Sequence, residues 1–79
     1  MMYKPSGVCA KEIHFELDSN GCVHNAHFVG GCHGNLQGIC ALIEGMDAKE
    51  VIQRLESIRC NGKATSCPHQ LSLALKEAI

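Results

Sequence analysis

Aromatic residues are nearly missing from this chain: two phenylalanines, one tyrosine and no tryptophan among 79 residues. A core must therefore be aliphatic, drawn from the 46% of residues that are apolar. Charge of one sign is also lacking. Seven Lys and Arg against eight Asp and Glu give a net charge of −1, so no basic face advertises phosphate contacts, and a nucleic-acid partner is not expected. No apolar run approaches the roughly 18 residues of a membrane span, and "MMYKPSGVCAKE" holds no signal-peptide apolar segment. A membrane partner is not expected either, and the expected location is cytoplasmic. The length suits one domain, residues 1–79, near the lower limit for a self-supporting core.

What the chain has in excess is cysteine: Cys9, Cys22, Cys32, Cys40, Cys60 and Cys67. In a secreted domain of this size, six would read as a disulfide framework. Without a secretion signal the count leans towards metal binding or thiol chemistry.

Periodicity sorts the six. "VCAKEIHFEL" (8–17) alternates as a half-buried strand, with Cys9, Ile13, Phe15 and Leu17 inward and Glu12, His14 and Glu16 outward. Asn20-Gly21 is a hairpin signal. The return strand "CVHNAHFVG" then puts Cys22, Ala26 and Phe28 on the buried face, with His24 at its edge. Gly30 and Gly31 end that strand. A helix follows with the stripe Leu36, Ile39, Cys40 and Ile43, stopped by Gly45. Asp47 caps a second helix, "AKEVIQRLESI", with Glu50 three residues on in a capping-box-like pattern. Its stripe is Val51, Ile52, Leu55 and Ile58. Residues 68–79 form the last helix, packing through Leu71, Ala74, Leu75 and Ala78. The expected fold is α+β, ordered β-β-α-α-α, an antiparallel hairpin packed by three helices. Cys9, Cys22 and Cys40 then read as buried small hydrophobes.

Cys32, Cys60 and Cys67 lie instead in glycine- and turn-rich joints. Cys32 and Cys67 each precede the first turn of a helix, and Pro68 suits a first helical position. Cys67 thus falls at or beside the N-cap. Free N–H groups and the helix dipole favour negative charge there, and thiolate is the form that binds metals and attacks electrophiles. Gly30, Gly31 and Gly34 leave room for a ligand to approach the backbone. Candidate metal ligands are Cys32, Cys60, Cys67 and His69, with His33 as another histidine in reach. No paired C-x-x-C knuckle appears, so a zinc ribbon is not supported. An inert small-residue corner is the alternative reading of these joints.

At "GGCHGNLQGICALIEG", "EVIQRLESIRCNGKATSCP" and "LSLAL" the chain resembles the small single-domain TSCPD proteins. These are relatives of a module found at the C-terminus of adenosylcobalamin-dependent ribonucleotide reductases. The likeness covers nearly the whole length. The family's name motif is Thr-Ser-Cys-Pro-Asp, and here it reads Thr65-Ser66-Cys67-Pro68-His69, so histidine replaces the aspartate and adds a candidate ligand. The resemblance implies a link to ribonucleotide reduction and deoxynucleotide synthesis. The label ribonucleoside-diphosphate reductase goes with the family, but a chain this short is not expected to hold a catalytic reductase barrel, and whether it has a reaction of its own stays open. A remoter resemblance, over "NAHFVGGCHGNLQGICALIEGMDAKEVIQRL" and the cysteine opening the last helix, is to NifU-type iron–sulfur scaffolds. It implies Cys32 and Cys67 as two cluster cysteines, with Cys60 the substitute for a third.

Three functions compete. The first is an accessory module holding zinc or an iron–sulfur cluster, with a ribonucleotide reductase or other redox protein as partner. The second is a small redox carrier that uses its thiols, or a flavin bound against Gly31, Gly34, Asn35 and Ser66. The third is a cofactor-free homodimeric interaction domain.

Overall fold

The computed structural model describes residues 1–8, 10–31, 33–58 and 65–79. The expectations for Cys9, Cys32 and Cys60 lie outside the described residues. The elements run β1 (Met2–Tyr3), β2 (Ala10–Leu17), β3 (Val23–Gly30), α1 (His33–Ile43), α2 (Ala48–Leu55) and α3 (Cys67–Ala78). The strands form one antiparallel sheet in the order β1-β2-β3. The expected hairpin and three helices are present. The addition is β1, which pairs Met2 with His14 and Tyr3 with Ile13.

The turn between β2 and β3 is longer than a two-residue Asn-Gly turn. Leu17 pairs with Val23, and Gly21, at φ 79°, is the turn residue in the left-handed region. Asp18 closes the loop: its Oδ1 accepts from the Asn20 N–H at 2.9 Å and the Cys22 N–H at 3.0 Å.

Two bulges reset which side chains face the core. Between Ala10 and Glu12, two steps along β2 match one step along β3, from Gly30 to Val29. Ala10 and Ile13 are therefore both buried although three residues apart. Between His14 and Glu16, two steps on β2 match three on β3, from His27 to His24. The extra residue is accommodated at Asn25, whose φ of 56° is one that asparagine tolerates better than most side chains. This bulge overturns the inward placement of Cys22. Strict alternation from Phe28 would bring Cys22 inward. The extra residue makes Val23 the fully buried one and leaves Cys22 half-buried.

Ile13, Phe15, Val23, Ile43, Val51, Leu71 and Leu75 are the centre of the core. Burying one such side chain contributes about 1.5–3 kcal/mol. Helix α1 lies against β3, while α3 packs on α2 and β2. The α1 stripe is as expected at Leu36 and Ile43, both buried, but Cys40 is only half-buried. Gly45, at φ 80°, ends that helix. Asp47 caps α2 by accepting from the Lys49 N–H at 2.8 Å. Glu50 pairs with Arg54 one turn on, at 2.8 Å. Ile58 does not continue the α2 stripe, because the helix ends at Leu55 and Ile58 is exposed.

Candidate functional site

The start of α3 is built from hydrogen bonds among hydroxyl, amide and imidazole groups. Ser66, buried and with extended backbone, is the N-cap; its Oγ accepts from the His69 N–H at 3.1 Å. The same hydroxyl donates to the Ile58 carbonyl at 2.6 Å, tying the exit of α2 to the entry of α3. Thr65 Oγ1 lies 2.7 Å from His69 Nδ1 and accepts from Gln70 Nε2 at 2.9 Å. Gln70 is buried, and its Oε1 accepts from the Ser6 N–H at 3.3 Å, which ties down the N-terminal arm. Two other segments, the N-terminal arm and the exit of α2, are thus fixed around one helix start.

Cys67 takes part in none of these bonds. It occupies the first helical position, beside the cap, as a half-buried free thiol. Pro68 falls at the second helical position, one later than expected. Its missing N–H has no intrahelical partner to lose there either.

The start of α1 is the second half of the expected site. Gly31 turns into the helix at φ 79°, and a Cβ there would meet Leu36 Cδ1 at 2.9 Å and the Ala10 backbone nitrogen at 3.4 Å. Its left-handed backbone favours glycine, and a side chain there would also have to displace the end of Leu36. Gly34 and Asn35 are exposed. Two residues of the N-terminal arm mark its neighbours: a Cβ on Gly7 would lie 3.1 Å from Thr65 Cγ2, and Ala10 borders Gly31. At 3.8 Å per residue, the Cα atoms of Gly7 and Ala10 are at most about 11 Å apart. The N-terminal arm therefore borders the starts of both α1 and α3.

Of the expected metal set, Cys67 and His69 are described, and Cys32 and Cys60 are not. Residues two apart on a helix do not face each other, so Cys67 and His69 make no chelate by themselves. His69 Nδ1 is engaged by Thr65, and the ring lies near enough to Glu56 to help Lys76 hold that carboxyl below its usual range. Among the described residues, no three His, Cys, Asp or Glu side chains gather to hold a metal ion.

Cys22 and Cys40 sit in environments that oppose the thiolate. Partial burial raises the Cys22 pKa, helped by the Asp18 and Asp47 carboxylates, and burial alone raises that of Cys40.

Two features escaped the sequence reading. One is Gln70, which with Ser72 is a buried polar residue among Leu71, Ala74 and Leu75 of α3; its place beside Leu71 was the available signal. The other is an ionic cluster at the far end of the hairpin. His24 Nε2 lies 2.8 Å from Asp18 Oδ2 and its Nδ1 2.6 Å from Glu44 Oε2. Glu44 Oε1 also accepts from the Asn25 N–H, and Asn25 Nδ2 donates to Glu16. His24 is held above its usual pKa, chiefly by Asp18 and then by Glu44. Asp18 is lowered by the Cys22 N–H and His24, and Glu44 by the Asn25 N–H and His24.

Fold and site together define a small α+β domain whose last helix begins in a hydrogen-bonded cradle beside a thiol. The sequence profile of the TSCPD domain matches residues 1–79, the entire chain, and the chain belongs to that family of ribonucleotide-reductase-associated modules. No curated protein and no solved structure matches it. The cradle falls on the family's name motif: Thr65 and Ser66, which match it, hold the helix start together with His69, which stands in place of its aspartate, and Cys67 lies among them.

Proposed function

We propose that this domain is an accessory module of ribonucleotide reduction, acting in the cytoplasm beside a reductase or another redox protein. In this reading it holds zinc or an iron–sulfur cluster through Cys67, Cys32 and Cys60. The observation that carries the reading is the division of labour in the motif. The side chains of Thr65, Ser66 and His69 are all engaged in fixing the helix start, while Cys67 takes no part in that bonding. It stands at the first helical position as a half-buried free thiol. Family membership supplies the reductase connection. The half-buried Cys22 and Cys40, whose environments favour the neutral thiol, are left as packing residues.

The test is a visible absorption spectrum with metal analysis of anaerobically purified protein. Stoichiometric zinc, or iron with the broad bands of a cluster, supports the proposal. Flavin peaks without metal favour the redox carrier, and a colourless, metal-free protein under those conditions sinks the metal reading.

A further inference from the structure

Strand β3 ends the sheet, so one of its edges faces β2 and the other faces away. The chain covers the first half of that outer edge itself. The Val23 N–H donates to the Met46 carbonyl at 2.8 Å and the Gly45 N–H to the Val23 carbonyl at 2.7 Å, and Cys22 bridges Asp47. Glu44 takes the Asn25 N–H. Beyond the bulge, from Ala26 to Gly30, no strand among the described residues pairs with the outer edge. A groove of about 560 Å³ opens between this stretch and α1, lined by Ala26, His27 and Phe28 on one side and Leu36 and Cys40 on the other. Successive strand residues point to opposite faces. A groove reached by both His27 and Phe28 therefore runs along the strand's edge.

An edge of this kind is a template for another strand, and natural edges are blunted with lysine, proline or inward charges. This one has none of them. From Ala26 to Ile43 the sequence runs eighteen residues without Asp, Glu, Lys or Arg, in a chain that is 19% charged. Helix α1 lies wholly within that stretch. On the side of that helix that lines the groove, Gln37 and Ala41 are exposed.

We infer that a second copy of the chain docks here, its β3 pairing antiparallel with this β3 about a twofold axis. Two three-stranded sheets then become one of six, with the α1 helices meeting on one face of it. The charge pattern selects the occupant. A twofold axis sets a surface against itself, so any charge near the axis meets its own sign. A stretch free of charge is compatible with self-pairing, and it offers nothing by which to recognise a charged partner. The edge already accepts chain at Val23, so the copy's strand extends a ladder that residues 45–47 begin.

Analytical ultracentrifugation of the full chain, with hydrogen exchange of the amides of residues 26–30, tests this. The wild type is expected to show a monomer–dimer equilibrium at concentrations up to about 1 mM, the range of weak association. Exchange at residues 26–30 should slow as dimer forms. Val29→Lys and Ala41→Glu alter exposed side chains. Each should weaken dimerisation by about tenfold or more, because like charges set together across an interface cost several kcal/mol. Circular dichroism establishes that each variant is folded. If one is not, the concentration dependence of wild-type exchange decides alone. A chain that stays monomeric throughout overturns the inference. So does a dimer indifferent to both folded variants, or edge amides that slow only when a synthetic extended peptide is added.

Discussion

The two ends of this domain are fastened by different physics. At the hairpin end, His24 stands between Asp18 and Glu44 on the surface, and the fastening is ionic. At the start of α3, Ser66 and Gln70 are buried, and the Ser66–Ile58 and Gln70–Thr65 bonds are neutral. Exposed ion pairs are screened by salt and contribute little to stability. Buried neutral bonds resist salt, and leaving one partner unsatisfied costs the full desolvation of that group. The difference assigns roles. The hairpin cluster tunes stability with pH, whereas the α3 cradle holds one backbone geometry fixed, and Cys67 is what that geometry positions.

The largest effect that would break this contrast is expected at Ser66. Ser66→Ala removes the cap on the His69 N–H and the donor to Ile58, and should lower stability by about 1–3 kcal/mol. Denaturant unfolding at low and high salt should give the same loss. A loss that vanishes in high salt would show the cradle to be electrostatic after all. At the hairpin end, Asn25→Ala should cost about 1 kcal/mol, because alanine fits the left-handed backbone poorly. Asn25→Gly, which has no such penalty, should be closer to wild type in thermal melts. If the two variants melt alike, the bulge owes its stability to the Glu16 bond instead of backbone shape. Cys40 belongs to neither region, and, being half-buried, its change to alanine should cost no more than about 1 kcal/mol and leave any bound metal in place. Metal content of that variant checks the point.

Smallest is the pH term of the hairpin cluster. His24 is raised from an ordinary 6.5, so its contribution is complete below that pH and fades as pH rises through the raised value. Asp18 and Glu44 are lowered from 3.8 and 4.5, so theirs are complete above those values and fade as pH falls through the lowered ones. The cluster is therefore at full strength between pH 4.5 and 6.5. Thermal melts of wild type and His24→Gln should differ most in that window and converge above it. A difference that grows towards alkaline pH would reverse the assignment.

Much of the fold was legible because its signals are local. The Leu36–Ile43 stripe, the Asp47 cap and the Gly45 stop each lie within a few residues of what they govern. Strand β1 was not, since two residues carry no alternation. The Asn25 bulge also escaped. Its cause is spread over Glu16 and Glu44, far apart in sequence, and missing it put Cys22 rather than Val23 in the core. In the site, the proline and the hydroxyls before it announced a helix start, and Cys67 falls at its first residue. That Ser66 is the cap, and that Gln70 reaches Ser6, depends on how the N-terminal arm and the exit of α2 pack there. No pattern along the chain encodes such packing.

The central claim is that Thr65 and Ser66 hold the helix start so that Cys67 is available for binding. Cys67→Ala, purified anaerobically beside wild type and Ser66→Ala, tests it by thermal unfolding together with metal content. The account predicts that Cys67→Ala stays within about 1 kcal/mol of wild-type stability while its bound metal is lost. A Cys67→Ala protein that keeps its metal, or that is destabilised as much as Ser66→Ala, would show the thiol to be one more packing residue of the cradle.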